Sequence, residues 1–239
     1  MLKKLFHPPA IQWPAKFAQK LERVADERLK AFYSEQLPAA NTPLTEIEFV
    51  ALDLETTGLK PDKDDIISIG LVPFNLNRIF LKQARHWIVR PQKQLGEESV
   101  IIHGITHSEL VDAPDLSDIL TELLPCLSGK IVVVHYRRIE REFLDKALRS
   151  RIGEGIEFPV LDTLQLEERI QKQLTGGLWN RLKGVKPASL RLAQSRRRYG
   201  LPDYTPHHAL TDAIATAELL QAQIAHHYAA DMPVGDFWL

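Results

Sequence analysis

Near the start of the chain, Phe17, Leu21, Val24, Arg28 and Phe32 recur at helical spacing through a charged segment. Pro8, Pro9 and Pro14 precede them, and Pro38 with the run to Pro43 follows. The pattern predicts one amphipathic helix and a short linker. After it the period changes to that of strands. Residues 49–54 and 66–72 are apolar runs, the first stopped by Thr57-Gly58. A turn at Asn75-Leu76-Asn77 leads to a third run at residues 85–89, which Pro91 ends. Three strands with short connections predict an antiparallel start to a sheet.

The second half of the chain alternates. Leu116, Ile119, Leu120, Leu123 and Leu124 fit a helix over residues 115–127. Residues 131–135 form a continuous apolar run suited to a strand buried on both faces. A helix through Phe143, Leu144, Ala147 and Leu148 follows, then a short strand near residues 160–162. Residues 165–202 read as a helix, a Gly176-Gly177 loop, and a helix with Ser189 as N-cap. The last helix, residues 208–228, buries Leu210, Ala213, Ile214, Ala217, Leu220 and Ile224. The order of elements predicts an α/β fold with a mixed sheet covered by helices.

Composition adds limits. Cys126 stands alone, which excludes a disulfide within the chain and a cysteine-rich zinc site. No run approaches the ~18 apolar residues of a transmembrane helix, and the first residues lack the apolar core of a signal peptide. The expected location is cytoplasmic, with no membrane contact. The net charge of −1 counts at first against a nucleic-acid binder. Its distribution reverses that. Residues 169–202 carry nine lysines or arginines and no acid. This segment reads either as an edge that tracks phosphates or as a solvated helical face.

Three segments put acids where an apolar pattern does not want them. Asp53 and Glu55 are two apart on a strand and face the same side, at the end of an otherwise apolar run. Glu140 borders the buried face of its helix, one turn before Leu144. Asp212 opens the last helix, and His207 precedes it. Like charges held side by side call for a compensating cation or proton.

The order and spacing of these segments resemble the DEDDh, or DnaQ-like, 3′→5′ exonucleases, which include the DNA polymerase III epsilon subunit and RNase T. DLETTGL, from Asp53, looks like the family's first motif, and IIHGITHSEL, from Ile101, is similar to a segment of the epsilon branch. VVVHYRRIEREFL takes the place of the second motif, LDTLQL follows it, and HHALTDAIATAELL looks like the third. The family usually has aspartate where this chain has Glu140 and asparagine where it has Tyr136.

The resemblance implies an RNase H-like exonuclease fold with a mixed five-stranded sheet. It covers an exonuclease domain over residues 46–228 and leaves outside it the N-terminal helical extension, residues 1–45, and a tail over 229–239. Asp53, Glu55, Glu140 and Asp212 would ligate two divalent cations, Mg²⁺ or Mn²⁺, and His207 would be the general base. Thr56, Thr57, Leu59 and His103 would bind the terminal nucleotide. The implied substrate is the 3′ end of single-stranded nucleic acid, DNA ahead of RNA. Exoribonuclease action and a catalytically weakened, polymerase-associated accessory protein are the alternatives. A separate polymerase or other protein partner would dock through the N-terminal helix or the C-terminal tail.

Overall fold

The computed structural model describes residues 11–92, 104–175 and 188–239. A five-stranded sheet runs through the molecule in the order β3-β2-β1-β4-β5. The strands are β1 (Phe49–Thr56), β2 (Ile66–Phe74), β3 (Arg85–Ile88), β4 (Ile131–Val134) and β5 (Val160–Asp162). β1, β2 and β3 pair antiparallel, and β4 and β5 join β1 in parallel. The chain is therefore a mixed α/β sheet flanked by helices, as its alternation predicts. β4 is buried at every position, which explains its unbroken apolar run.

The extension differs from the expected single helix. Two short helices form, α1 (Trp13–Leu21) and α2 (Glu27–Ser34). Asp26 divides them: its carboxylate accepts from the N–H groups of Arg28 and Leu29 and starts α2. Glu154 holds the break from the body, accepting from Ala25 N and Asp26 N at 2.8 Å each. Trp13, Phe17, Phe32 and Tyr33 join the same buried cluster as the sheet.

The apolar tail also docks on the body. Val234 N and Gly235 N donate to Thr42 O and Ala40 O in the linker, and Leu239 N donates to Val160 O on the edge strand β5. Phe237 and Trp238 are buried. Arg141 joins the two terminal segments: it lies over the Trp13 ring and donates to Leu239 O.

The other α-helices among the described residues are α3 (His107–Asp112), α4 (Leu116–Leu127), α5 (Arg138–Ile152), α6 (Thr163–Thr175), α7 (Leu192–Arg198) and α8 (Ala209–His227). α3 has no counterpart in the apolar periodicity. Its signal is a capping box, with Thr106 and Glu109 satisfying each other's backbone N–H. Ser189 is not the expected N-cap. α7 starts after Arg191, and the Ser189 hydroxyl accepts from Arg191 N one turn earlier. The Gly176-Gly177 loop and Trp179 lie outside the described residues.

Candidate metal centre and active site

β1 carries the first two acids. Asp53 sits opposite Gly70 of β2 and Glu55 opposite Ser68, and a bulge follows between Glu55 and Thr56. The bulge ends the regular ladder where the acids stand, as bulges often do beside functional sites. Asp212 arrives from α8, which crosses the same face. Gly70 makes that crossing possible. A Cβ there would lie 2.2 Å from the backbone of Ala209 and Leu210, far inside contact distance. This strand glycine therefore admits the first turn of α8 against the sheet. Its signal in the sequence is a lone glycine inside the apolar run of β2, outside the three acidic motifs.

Asp53, Glu55 and Asp212 each offer an oxygen, and these atoms all lie within 4.8 Å of one another. Burial and the neighbouring Glu55, Glu140 and Asp212 push the Asp53 carboxyl well above the usual carboxylate range. Burial also raises Asp212, helped by Glu55 and opposed by the backbone N–H of His207. A cluster in which carboxylates raise one another is short of positive charge.

Glu140 lies in the first turn of α5, 2% exposed. Its carboxyl is pushed well above the usual range by burial and by the nearby Asp162. Its Oε2 is buried with no hydrogen-bond partner. Such an orphaned oxygen is costly unless something else meets it. The donor set fits hard divalent cations: carboxylate oxygens, no thiolate, and a repulsion that added positive charge would relieve.

His207 is held beside this cluster. Its backbone N–H donates to Asp212 Oδ2 at 2.9 Å, and its φ is +68°. A left-handed conformation at a non-glycine residue is uncommon and costs on the order of 1 kcal/mol, so the Asp212 bond holds the loop in place. His208 caps α8, accepting from Thr211 N, and its ring lies 4.7 Å from that of His86. A cavity of about 660 Å³ opens beside His207, Asp212, Tyr136 and Ile139.

Just beyond the acids, at the same end of β1, the Thr56 hydroxyl donates to Gly58 O at 2.6 Å, and Thr57 Oγ1 accepts from Asp65 N at 2.9 Å. Both expected substrate-binding threonines therefore shape the loop that presents Leu59, which is 79% exposed. His103 lies outside the described residues.

Two groups near the site are structural. Burial lowers His135 to about 4, so it is neutral. Its one ring proton suits Nε2, 3.0 Å from Leu190 O, with Nδ1 facing the Thr163 hydroxyl at 2.9 Å. In the arginine triplet at the end of α7, Arg196 faces inward and is structural, while Arg197 and Arg198 are exposed. Arg196 is buried and pairs with Glu218, Arg197 pairs with Asp203, and Arg198 reaches the buried Glu167.

An exonuclease family model of the RNase T type matches residues 50–220. The chain belongs to this DnaQ-like exonuclease family. It is 31% identical over 171 residues to the PolC-type DNA polymerase III of Thermotoga maritima, covering 72% of this chain but 11% of that protein. It is 28% identical over 181 residues to the DNA polymerase III epsilon subunit of Treponema pallidum, covering 76% of this chain and 78% of that one. The fold is shared with the nuclease domain of 3′hExo, a DEDDh family member bound to rAMP, at a TM-score of 0.61 and 15% identity over 77% of this chain and 94% of that one. It is shared with exonuclease X in complex with 5′ overhanging duplex DNA at a TM-score of 0.56 and 21% identity, over 78% and 98% of the chains. The chain thus spans about a tenth of the PolC-type relatives and most of the epsilon-type one.

Proposed function

We propose that this exonuclease removes nucleotides from the 3′ end of single-stranded DNA or frayed DNA ends, releasing nucleoside 5′-monophosphates. The observation that carries the reading is the convergence of Asp53, Glu55 and Asp212 within 4.8 Å, with His207 tied to Asp212. Asp53, Glu55, Asp212 and Glu140 would hold two divalent cations, Mg²⁺ or Mn²⁺. When bound, the cations neutralise charge on the phosphate and make water a better nucleophile. His207 takes the proton of the attacking water, since imidazole exchanges protons near neutral pH. Leu59, exposed at the tip of its loop, lies against the last bases, with Thr56 and Thr57 beside the terminal nucleotide. The family resemblance would assign His103 to the same nucleotide. DNA is favoured over RNA because the curated relatives are DNA polymerase III proteins.

The expected setting is cytoplasmic; among the described residues no helix is long and apolar enough to cross a membrane. A separate polymerase would meet the outer, charged faces of the extension, because the aromatic residues of α1 and of the tail are spent on the body.

The test uses a short single strand labelled at its 5′ end, made as DNA and as RNA, with Mg²⁺, Mn²⁺ or EDTA. Stepwise shortening from the 3′ end of DNA, with mononucleotide release and abolition by EDTA, supports the reading. Faster shortening of RNA would make it an exoribonuclease. Tight binding without turnover in either metal would make it an accessory protein.

A further inference from the structure

Asp162, at the end of β5, is a buried acid beside the site with no part in the reading above; its side chain is 2% exposed. Its Oδ1 accepts from Tyr136 N and Leu164 N, each at 3.0 Å. Its Oδ2 accepts from Arg137 N at 3.1 Å and lies 3.5 Å from the Arg137 guanidinium. One carboxylate thus ties together the exit of β4, the start of α5 and the start of α6.

The turn it holds needs holding. Tyr136 has a φ of +86°, in the left-handed region that a bulky residue rarely adopts. Both N–H groups leading into α5 point at Asp162 rather than at water. A carboxylate is suited to this and an amide is not: it accepts at both oxygens, whereas an asparagine would turn an NH₂ group toward N–H donors. Asp162 also stands close enough to the buried Glu140 to push that carboxyl further above the usual range. A carboxylate kept in that position points to a task that requires one.

That task lies one turn further along α5. Glu140 is four residues after Tyr136, and a helix carries the placement of its first residues to the next turn with little play. We propose that Asp162 is a positioning residue of the metal centre: it clamps the left-handed turn at Tyr136 and thereby sets where α5 presents the Glu140 carboxylate to Asp53. The proposal rests on the two-cation reading. Tyr136 and Glu140, the two departures from the family's second motif, both sit on the segment that Asp162 starts.

The test measures Mn²⁺ binding to the full chain, by electron paramagnetic resonance of the free ion, beside thermal unfolding. Asp162→Asn should weaken the weaker Mn²⁺ site by about 10–100-fold, the usual effect of losing a group that orients a ligand, and spare the tighter one. Adding Tyr136→Gly, which removes the penalty of the left-handed turn, should recover most of the loss. Binding like the parent's in folded Asp162→Asn overturns the proposal, as does a double variant no better than the single one. A parent chain that binds no Mn²⁺ overturns the two-cation reading and this proposal with it. Two-site binding in the parent, unaltered in the variant, overturns the proposal alone. If Asp162→Asn does not fold, amide exchange in the parent decides: the Tyr136 and Arg137 N–H groups should exchange slowly with Mg²⁺ present, and fast exchange of both overturns the clamp.

Discussion

Asp53 and Glu55 stand on β1, paired on one side with β2 and on the other with β4, and Asp212 is pressed toward them by the crossing of α8 over Gly70. Glu140 is held quite differently. It stands on a helix that begins from a left-handed turn, and a single buried carboxylate fastens that turn. One half of the centre is built into the sheet, where moving an acid would mean moving the core. The other half would be Glu140: its helix packs on the core through Phe143, Leu144 and Leu148, while the turn that starts it rests on a few hydrogen bonds. The two departures from the family's usual residues, Tyr136 and Glu140, both fall on the second half. A helix start beside a half-exposed turn has more room for an extra methylene or a larger ring than a central strand has.

The comparison is most sharply broken at the sheet-borne acids. Asp53→Asn or Asp212→Asn should abolish metal-dependent cleavage in an oligonucleotide-shortening assay. Without metal, the same changes should raise the unfolding temperature, because each removes a carboxyl whose ionisation the folded cluster resists. Retained cleavage in either variant would dismiss that residue as a ligand. His207→Asn should slow turnover by about 10²–10⁴-fold and flatten the acid limb of the pH–rate profile; a parental profile would refute its role as base. Gly70→Ala forces a methyl group into the backbone of α8 and should cost about 1–3 kcal/mol in denaturant unfolding, as overpacking does. An unchanged midpoint would mean that the crossing does not depend on glycine.

The clamped half should be more forgiving. Glu140→Asp should preserve or raise cleavage, since aspartate is the family's usual residue there. A loss as deep as that of Asp53→Asn would show both halves to be equally exacting.

The smallest effect concerns pH. In the metal-free protein the raised carboxyls of Asp53, Glu140 and Asp212 hold protons that the unfolded chain has given up. The folded state then binds more protons, so these groups lower stability as pH rises above about 4 and up through their folded values. Metal binding displaces those protons. The rise in unfolding temperature on adding Mn²⁺ should therefore grow from pH 5 to pH 8, and a pH-independent rise would contradict the assignment.

Much of this molecule can be read along the chain. Alternation and continuous apolar runs mark the strands, and the two-residue spacing of Asp53 and Glu55 puts both on one face because side chains alternate along a strand. The histidine five residues before Asp212 and the acids of the three motifs are legible for the same local reason. The roles of Gly70, Asp162 and the Arg196–Arg198 triplet are not. A glycine in a strand, an aspartate after a short apolar run and three consecutive arginines each look ordinary locally. The first matters because α8 passes 140 residues later, and the second because two amides from another strand's exit turn toward it. Arg196 belongs to the interior because Glu218 and the carbonyls of Ala215 and Pro202 meet it there, whereas Arg197 stays at the surface beside Asp203. The sequence by itself determined which groups could do the chemistry, since that depends on residue type and local period. The tertiary structure decided which of them meet and what holds them there, because close approach, burial and charge pairing arise between segments that are distant along the chain.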